Sequence, residues 1–357
     1  MIKEVSIAIQ PEKEKDEKFI QKEIRLALKK QGISFEEKDI STVFVKKSID
    51  ARHRNIKFFL RYKVFIGENP ADEFALPDWK TADGKKSVAI IGSGPAGLFG
   101  ALKLLEHGIK PVVIERGSET SKRKRDIAMI STTGIVDENS NYCFGEGGAG
   151  TFSDGKLYTR SNKRGNINGI LKIFEHFGAD KKILTDAHPH IGTDKLPAIV
   201  NNIRNFILQK GGEFLFDTEC VDFILEKSGD EKIVKGVVVK NQGETKNIFA
   251  DAVLLATGHS ASDIYALLAK TSPESLEAKT FAMGVRVEHP RTLIDSIQFH
   301  GEKKQELGAA EYRLTSQIDG RGVYSFCMCP GGFVVPSSTG PNEIVVNGMS
   351  AAGRNSK

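Results

Sequence analysis

The sequence has few cysteines and no long apolar run. Four cysteines in 357 residues are too few and too irregularly spaced for a disulfide framework or a four-cysteine zinc site. No apolar stretch reaches the roughly 20 residues that a membrane-spanning helix needs, and the N-terminus turns charged where a signal peptide turns apolar. The net charge of +5 is modest and by itself indicates no nucleic-acid partner. We therefore predict a cytoplasmic protein without membrane contact.

The length and composition are those of a globular protein with more than one domain. The chain is 39% hydrophobic and 27% charged, and 357 residues exceed what one small core organises. We predict a small α+β module over residues 1–80, a linker over 81–86, a nucleotide-binding domain over 87–270 and a substrate-side domain over 271–357.

The first module is predicted from alternating strand-like and helical patterns. VSIAIQ (5–10) is typical of a strand, and residues 16–30 place Ile20, Ile24 and Leu28 on one helical face. Two further strands are predicted at 41–47 and 55–66. The β-α-β-β order predicts a ferredoxin-like module.

A basic hairpin is predicted between the last two of these strands. It carries seven cations against the single acid Asp50: Lys46, Lys47, Arg52, Arg54, Lys57, Arg61 and Lys63. A solvated hairpin face is the favoured interpretation, and an RNA-binding surface is the alternative. The aromatic ribonucleoprotein signature is absent, so we expect no nucleic-acid partner.

The most informative stretch is SVAIIGSGPAGLFGALKLLEHGIKPVVIERG, residues 87–117. Its apolar run Val88–Ile91 predicts a buried strand, followed by a glycine turn, a helix over Leu98–His107 and a second strand that ends at Glu115. Gly92 permits the tight turn, Gly94 lets backbone approach a pyrophosphate, and Gly97 lets the helix pack on the strand. The helix N-terminus favours an anion. Strand, turn, helix, strand and terminal acid together predict a dinucleotide site.

Further residues of this stretch join the predicted site. Glu115 is placed to accept hydrogen bonds from an adenosine ribose, and an acid there disfavours a 2′-phosphate. The predicted cofactor residues here are Gly92, Gly94, Pro95, Ala96, Gly97, Glu115 and Arg116. The fingerprint alone does not separate FAD from NAD.

A second signal is ADAVLLATGHSASD, residues 250–263. A buried strand (Val253–Leu255) runs into Ala256, Thr257 and Gly258, small residues that let the chain turn beside a dinucleotide. His259 follows directly, as a cofactor ligand or a solvated loop residue. Upstream, EFLFDTECVDFIL, KIVKGVVVKN and ETKNIFA predict a strand meander.

The third signal is CFGEGGAGTFSDGKL, residues 143–157, with five glycines in fifteen residues. Alone it fits either a flexible linker or a loop whose backbone approaches a ligand. In this chain order, with HPHIGTDKL (188–196) and SFCMCPGGFVVPSS (325–338), the sequence resembles the bacterial family of uncharacterised FAD-dependent dehydrogenases, within the glutathione-reductase-like superfamily.

That resemblance implies an α/β fold and an FAD cofactor. The fold it implies is a Rossmann-type FAD-binding domain with a β-meander, followed by part of a mainly β substrate domain. It also implies that a glycine loop near the flavin contributes Gly147, Gly148, Ala149, Gly150 and Thr151. Thr151 and Ser153 are then available to bond phosphate, ribityl or ring oxygens.

Catalytic groups are less clearly indicated. The weak candidates are His188, His190, Cys327 and Cys329. The two histidines precede Thr193 and Asp194, which could cap a helix starting at Lys195, and satisfied histidines are the favoured interpretation. The two cysteines could form a redox dithiol or serve as structural thiols. A disulfide in a CxC motif closes a strained ring, so structural thiols are the favoured interpretation. Two histidines without a third ligand do not predict a metal site.

Three further expectations follow from the sequence. The run KRKR (122–125) is typical of a solvated helix face, with FAD pyrophosphate contact by Arg123 or Arg125 as the alternative. No second GxGxxG stands in strand context, so NAD(P)H would bind transiently across the flavin, or the organic substrate would deliver electrons. The chain ends in NGMSAAGRNSK without the late flavin-facing segment of this fold, which predicts a C-terminally truncated fragment.

The function predicted is therefore an FAD-dependent oxidoreductase that transfers hydride between flavin and a small-molecule substrate or NAD(P)H. In the substrate-side domain, AMGVRVEHPRTLID (282–295) and EIVVNGMS (343–350) predict strands. Arg286, His289 and Arg313 are the residues to test for an anionic substrate, with surface or structural salt bridges as the favoured interpretation of each. The alternatives are an RNA-modifying or RNA-binding flavoprotein and a dinucleotide sensor without turnover. The sequence specifies neither substrate nor oligomeric state.

Overall fold

The computed structural model describes residues 1–36, 39–70, 74–159, 165–229, 231–302 and 304–355. The N-terminal part forms a three-stranded antiparallel sheet, order β1-β3-β2, with one helix against it. Asp16 caps that helix by accepting a hydrogen bond from the Phe19 amide at 3.0 Å. Ile20, Ile24 and Leu28 are buried, as their spacing predicts. The elements are β1 (Ile2–Ile9), α1 (Glu17–Lys30), β2 (Ile40–Asp50) and β3 (Lys57–Ile66).

The core of this part includes residues from far along the chain. Phe299, Leu307 and Ala310 pack in one buried cluster with Ile24 and Phe58. The predicted boundaries of the domains stay a prediction.

A four-stranded parallel sheet, order β10-β4-β5-β6, lies at the centre of the chain. Helices cover it because parallel neighbours need crossover connections. The first of these helices starts at Pro95, three residues earlier than predicted, because proline suits the first helical position. The elements are β4 (Ser87–Ile91), α2 (Pro95–Glu106), β5 (Lys110–Ile114), α3 (Thr120–Thr133), α4 (Ile167–His176), α5 (Leu196–Gln209), β6 (Glu213–Leu215) and β10 (Ala252–Leu255).

The predicted meander is present, with one correction. β7 (Glu219–Ser228), β8 (Glu231–Asn241) and β9 (Glu244–Phe249) form an antiparallel sheet. The run predicted as its first strand is divided, because Glu213–Leu215 pairs with β5 instead. Asp217, at φ 51°, turns the chain between the two sheets.

The C-terminal part has short elements. They are α6 (Ser262–Thr271), α7 (Arg291–Gln298), β11 (Thr315–Ile318), β12 (Arg321–Tyr324), β13 (Phe333–Pro336) and β14 (Val346–Met349). The strand predicted in AMGVRVEHPRTLID is wrong: residues 276–290 lie in neither helix nor strand. Met283 is 91% exposed, and a strand without a pairing partner is not stable. Every helix within the described ranges is too short or too polar to cross a bilayer.

Candidate functional site

The glycine turn between β4 and α2 has the geometry that the fingerprint predicts. Gly92 has φ 105°, and a Cβ there would collide with the Ala256 carbonyl oxygen. A Cβ on Gly97 would collide with the Gly92 carbonyl oxygen, so Gly97 allows the helix to pack against the turn. Gly94 differs, because a Cβ there would meet only the Gly148 Cα, at 3.7 Å. Among the residues that the structure describes, none therefore requires glycine at position 94.

The glycine-rich stretch is packed against this turn. The Gly147 amide donates to the Ser93 carbonyl oxygen at 3.0 Å. Gly145, Gly147 and Gly148 have φ 112°, 78° and 64°, and Gly148–Gly150 form one turn of 3₁₀ helix. A Cβ on Gly148 would lie 2.9 Å from the Gly94 Cα. The stretch is thus a loop that needs glycine for its conformation and its close approach.

Glu115 joins the two glycine segments. Its Oε2 accepts from the Ser93 amide and hydroxyl, both at 2.8 Å, and its Oε1 accepts from the Gly117 and Gly145 amides, both at 3.0 Å. A carboxylate offers about four acceptor positions, so these donors use all of them. A ribose hydroxyl could then bind only by replacing a donor, and the Ser93 hydroxyl is the one that can rotate away. Ribose binding by Glu115 stays a prediction.

The solvated helix face predicted for KRKR is wrong for Arg123. This side chain is fully buried, and burial lowers the pKa of its guanidinium to about 10. The guanidinium donates four hydrogen bonds, all to carbonyl oxygens of residues 141–146. Arg125, two residues later, is exposed. The signal that sequence reasoning missed is helical spacing: Arg123, Ile127 and Ile130 lie on one buried stripe of α3.

The turn after β10 completes the arrangement. The Ala256 amide donates to the Ile91 carbonyl oxygen at 2.8 Å, which fixes this turn beside Gly92. The strand itself is not buried as predicted, because it is the edge strand of the sheet. Leu254 and Leu255 are 38% and 39% exposed. His259 contacts the Ser260 hydroxyl.

These segments enclose a cavity of about 580 Å³, within the usual range for small-molecule sites. Twelve predicted residues line it: Gly92, Gly94, Pro95, Ala96, Glu115, Arg116, Gly148, Ala149, Gly150, Ala256, Thr257 and Gly258. His259 also lines the cavity. Gly97, Gly147 and Thr151 lie outside its lining, and the hydroxyls of Thr151 and Ser153 donate to the Glu146 and Gly150 carbonyl oxygens at 3.0 and 2.7 Å.

One wall of the cavity is apolar and was not predicted. It is formed by Phe144, Cys220, Ile264, Tyr265 and Leu268. Arg116 lies 4.5 Å from the Phe144 ring centroid and pairs with Glu219 and Asp263, which fixes α6 against the end of β5. No local pattern links α6 to Arg116, because 147 residues separate Arg116 from Asp263.

Comparison with known proteins assigns this architecture. Three family models match the chain: a domain of unknown function over residues 1–65, an FAD binding domain over 85–134 and a C-terminal domain-like region of FAD-dependent proteins over 280–357. Two of these three models describe FAD-binding or FAD-dependent proteins, and they match residues 85–134 and 280–357 of this chain. This confirms the resemblance inferred from the glycine motifs and the α/β fold with its FAD-binding domain.

The individual proteins that resemble this chain are either uncharacterized or low in sequence identity. An uncharacterized protein of Clostridium beijerinckii is 38% identical over 338 residues, which cover 89% of this chain and 62% of that protein. The chain thus spans less than two thirds of this curated relative. The THI4 protein of Thermovibrio ammonificans is 16% identical, with TM-score 0.37 and coverage of 53% of this chain and 63% of that one. A 3-ketosteroid Δ1-dehydrogenase of Sterolibacterium denitrificans is 13% identical, with TM-score 0.30 and coverages of 49% and 48%.

The four candidate catalytic residues lie outside the cavity lining. His188 contacts Glu311 through Nδ1 at 3.0 Å and Arg313 through Nε2 at 3.1 Å. His190 contacts the Ala352 carbonyl oxygen at 3.1 Å, and burial lowers its pKa. Asp194, expected to cap the next helix, instead accepts from the Ala352 amide at 2.7 Å, and α5 begins at Leu196 without a side-chain cap.

The cysteines border a buried polar cluster centred on Asp154. The Lys156 ammonium lies 3.3 Å from the Asp154 carboxylate and 3.1 Å from the Cys329 sulfur. Arg354 pairs with the same carboxylate at 2.9 Å. Burial raises the pKa of Asp154, but Arg354 and Lys156 outweigh burial and hold that pKa below its usual value. Cys327 is exposed at φ 55°.

Two other predicted surfaces have intramolecular partners. In the basic hairpin, Lys47 pairs with Glu14 at 2.6 Å and Arg52 with Asp50 at 2.7 Å. RNA binding therefore stays a prediction to which the hairpin geometry adds no support. Of the residues proposed for an anionic substrate, Arg286 donates to the Cys327 carbonyl and to Asn347, and His289 contacts Tyr312.

Proposed function

We propose that this protein is an FAD-dependent oxidoreductase that exchanges a hydride with a small organic molecule. The observation that carries the proposal is that the Gly92–Gly97 turn, the Gly148–Gly150 loop and the Ala256–Gly258 turn meet at one cavity. All three segments contain glycine and alanine, whose side chains are absent or small, so the protein presents backbone to the occupant of the cavity. That is the surface a long, anionic dinucleotide needs.

The residues present fit FAD. The start of α2 supplies amides and positive dipole for the pyrophosphate, and the absent side chain of Gly94 leaves room above them. Glu115 is assigned to the ribose, and the apolar wall around Phe144 and Tyr265 to the adenine. The loop that ends at Gly150 and Thr151 is assigned to the flavin half.

FAD, when bound, supplies the redox chemistry, and the chain supplies orientation and proton handling. We propose NAD(P)H as a transient electron donor, or the organic substrate itself, because the sequence has no second dinucleotide fingerprint. Asp154 and Lys156 follow the glycine loop in sequence, and the Lys156 ammonium contacts Cys329. This cluster, together with His188 and His190, is the proposed substrate-side region. The proposed compartment is the cytoplasm, where its four free cysteines stay reduced.

The first test is an absorption spectrum of the purified chain, with mass identification of whatever denaturation releases. We expect a flavin spectrum and released FAD. The proposal would be refuted if this chain, and also a longer form of the protein comparable in length to the Clostridium relative, were colourless and took up no added FAD. Anaerobic mixing with NADH or NADPH should then bleach the flavin. A bound flavin that no donor reduces would instead support the dinucleotide sensor.

A further inference from the structure

Arg123 lies beneath the glycine loop and is fully buried. Its Nε donates to the Asn141 carbonyl oxygen at 2.9 Å and its Nη2 to that of Tyr142 at 3.1 Å. Its Nη1 donates to the Gly145 and Glu146 carbonyl oxygens at 3.2 and 2.7 Å. One helix side chain thus holds the carbonyl groups of a single six-residue segment.

This arrangement requires both the arginine and the glycine opposite it. A Cβ on Gly145 would collide with the Arg123 Cδ, so glycine makes room for the buried side chain. Arginine is suited to the place because its planar fork carries five N–H donors and remains charged when buried. The Phe152 ring, with its centroid 5.2 Å from the guanidinium, covers it further along the loop.

A second contact holds the same segment. The Glu146 carboxylate is fully buried and accepts from the Thr120 amide at 2.7 Å, at the start of α3. Its other oxygen lies 3.1 Å from Arg204 Nε of α5, off the hydrogen-bond direction, so that contact is an ion pair. Backbone and side chain of Glu146 are therefore both anchored to helices, the carbonyl oxygen to Arg123 of α3 and the carboxylate to the start of α3 and to Arg204 of α5.

We propose that Arg123 is a positioning residue that holds residues 141–150 in their cofactor-binding conformation before FAD arrives. The inference rests on the proposed function for its ligand. A preformed loop binds without an ordering cost, whereas ordering even one residue on binding lowers affinity by about fivefold or more. Removing Arg123 takes one donor from each of four carbonyl groups and returns that cost to the binding step. The Gly145 and Glu146 carbonyl oxygens keep the Gly148 amide and the Thr151 hydroxyl as donors.

Two variants separate positioning from general stability. Arg123→Met keeps much of the length and removes every donor, and Arg123→Lys keeps the charge with fewer donors. Arg125→Met is the matched control, because Arg125 is exposed on the same helix and, contrary to the alternative of a pyrophosphate contact, does not line the cavity. Each protein, stripped of cofactor, is titrated with FAD, followed by stopped-flow fluorescence and by hydrogen exchange at residues 141–150.

We expect Arg123→Met to bind FAD about tenfold more weakly or worse, with an observed association rate that saturates as FAD increases. Its loop amides should exchange faster than in the parent apoprotein and regain protection with FAD. Arg123→Lys should lie between the two, and Arg125→Met should match the parent. A loss of melting temperature with unchanged FAD affinity and loop exchange would overturn the proposal.

The parent protein also tests the proposal alone. Its loop amides should be protected without FAD, and exchange at the rate of an unstructured peptide would overturn the inference even if Arg123→Met did not fold. A parent that protects the loop but takes up no FAD would refute the proposed function and leave the preformed loop standing.

Discussion

The contrast between Gly94 and Gly97 gives the sharpest test of the cofactor site. Both are glycines of the same turn, yet the structure assigns them different reasons for being glycine. A Cβ on Gly97 would overlap the Gly92 carbonyl oxygen, which is fixed backbone, whereas a Cβ on Gly94 would rest 3.7 Å from the Gly148 Cα, an ordinary contact. Position 97 is therefore restricted by the fold, whereas the only restriction we expect at position 94 comes from the proposed cofactor.

The expected magnitudes follow from those contacts. Gly97→Ala should destabilise the protein by about 1–3 kcal/mol, the usual cost of overpacking a rigid site. Gly94→Ala should lower the free energy of unfolding by less than about 1 kcal/mol. The backbone of Gly94 is extended at φ −69°, which alanine also adopts, and the remaining cost is that alanine is a poorer helix N-cap than glycine. The added methyl would nevertheless occupy the place where backbone meets the pyrophosphate, and a tenfold weaker affinity corresponds to about 1.4 kcal/mol.

The assay combines thermal unfolding of the apoproteins with FAD titration. Gly284→Ala is the control, because in the described part of the chain no heavy atom beyond its two sequence neighbours lies within 4 Å of an added Cβ. We expect the melting temperature of Gly94→Ala to stay close to that of the control while its Kd for FAD rises tenfold or more. Gly97→Ala should lower the melting temperature. If Gly94→Ala bound FAD as tightly as the parent, the placement of the pyrophosphate at this turn would be refuted.

Three other outcomes are expected. Glu115→Gln should lower the free energy of unfolding by about 1–3 kcal/mol in urea and weaken FAD binding in a titration, because its amide NH₂ would face protein N–H donors. Unchanged values would contradict the Glu115 network. The pKa of Asp154 is depressed, so its stabilising contribution should be present above pH 3.8 and lost as the pH falls further; Asp154→Asn should flatten that part of the stability profile, and an unchanged acid limb would exclude this role. Burial raises the pKa of Cys220 to about 12, so iodoacetamide at pH 8 should modify Cys327 and spare Cys220 in a peptide-mass analysis until the protein unfolds.

The parts of the site that could be predicted are those with a local signature. The glycine turn at 92–97 and the acid at 115 have fixed spacings, and the turn at 256–258 follows an apolar strand. The glycine loop was harder, since its composition fits a linker equally well, and only its order in the chain indicated a ligand.

The rest depends on contacts that no local pattern contains. Arg123 was assigned to solvent because charged runs are usually exposed, although the buried stripe that includes Ile127 and Ile130 passes through it. The hairpin lysine Lys47 finds its acid, Glu14, 33 residues away. The stretch containing Phe281 and Val285 alternates like a strand but has no partner strand in the described residues, at 84% and 88% exposure.

The shared core of the N-terminal sheet has a consequence for biosynthesis. Phe58 is packed in the same cluster as Phe299 and Leu307, so about 250 residues must be added after it before the cluster is complete. At ribosomal speeds of about 5–20 residues per second, roughly 12 to 50 seconds pass between the synthesis of Phe58 and the synthesis of the last residues of this cluster. During that interval the nascent chain carries an incompletely covered apolar face, and a chaperone that binds such faces would meet this protein early in its synthesis.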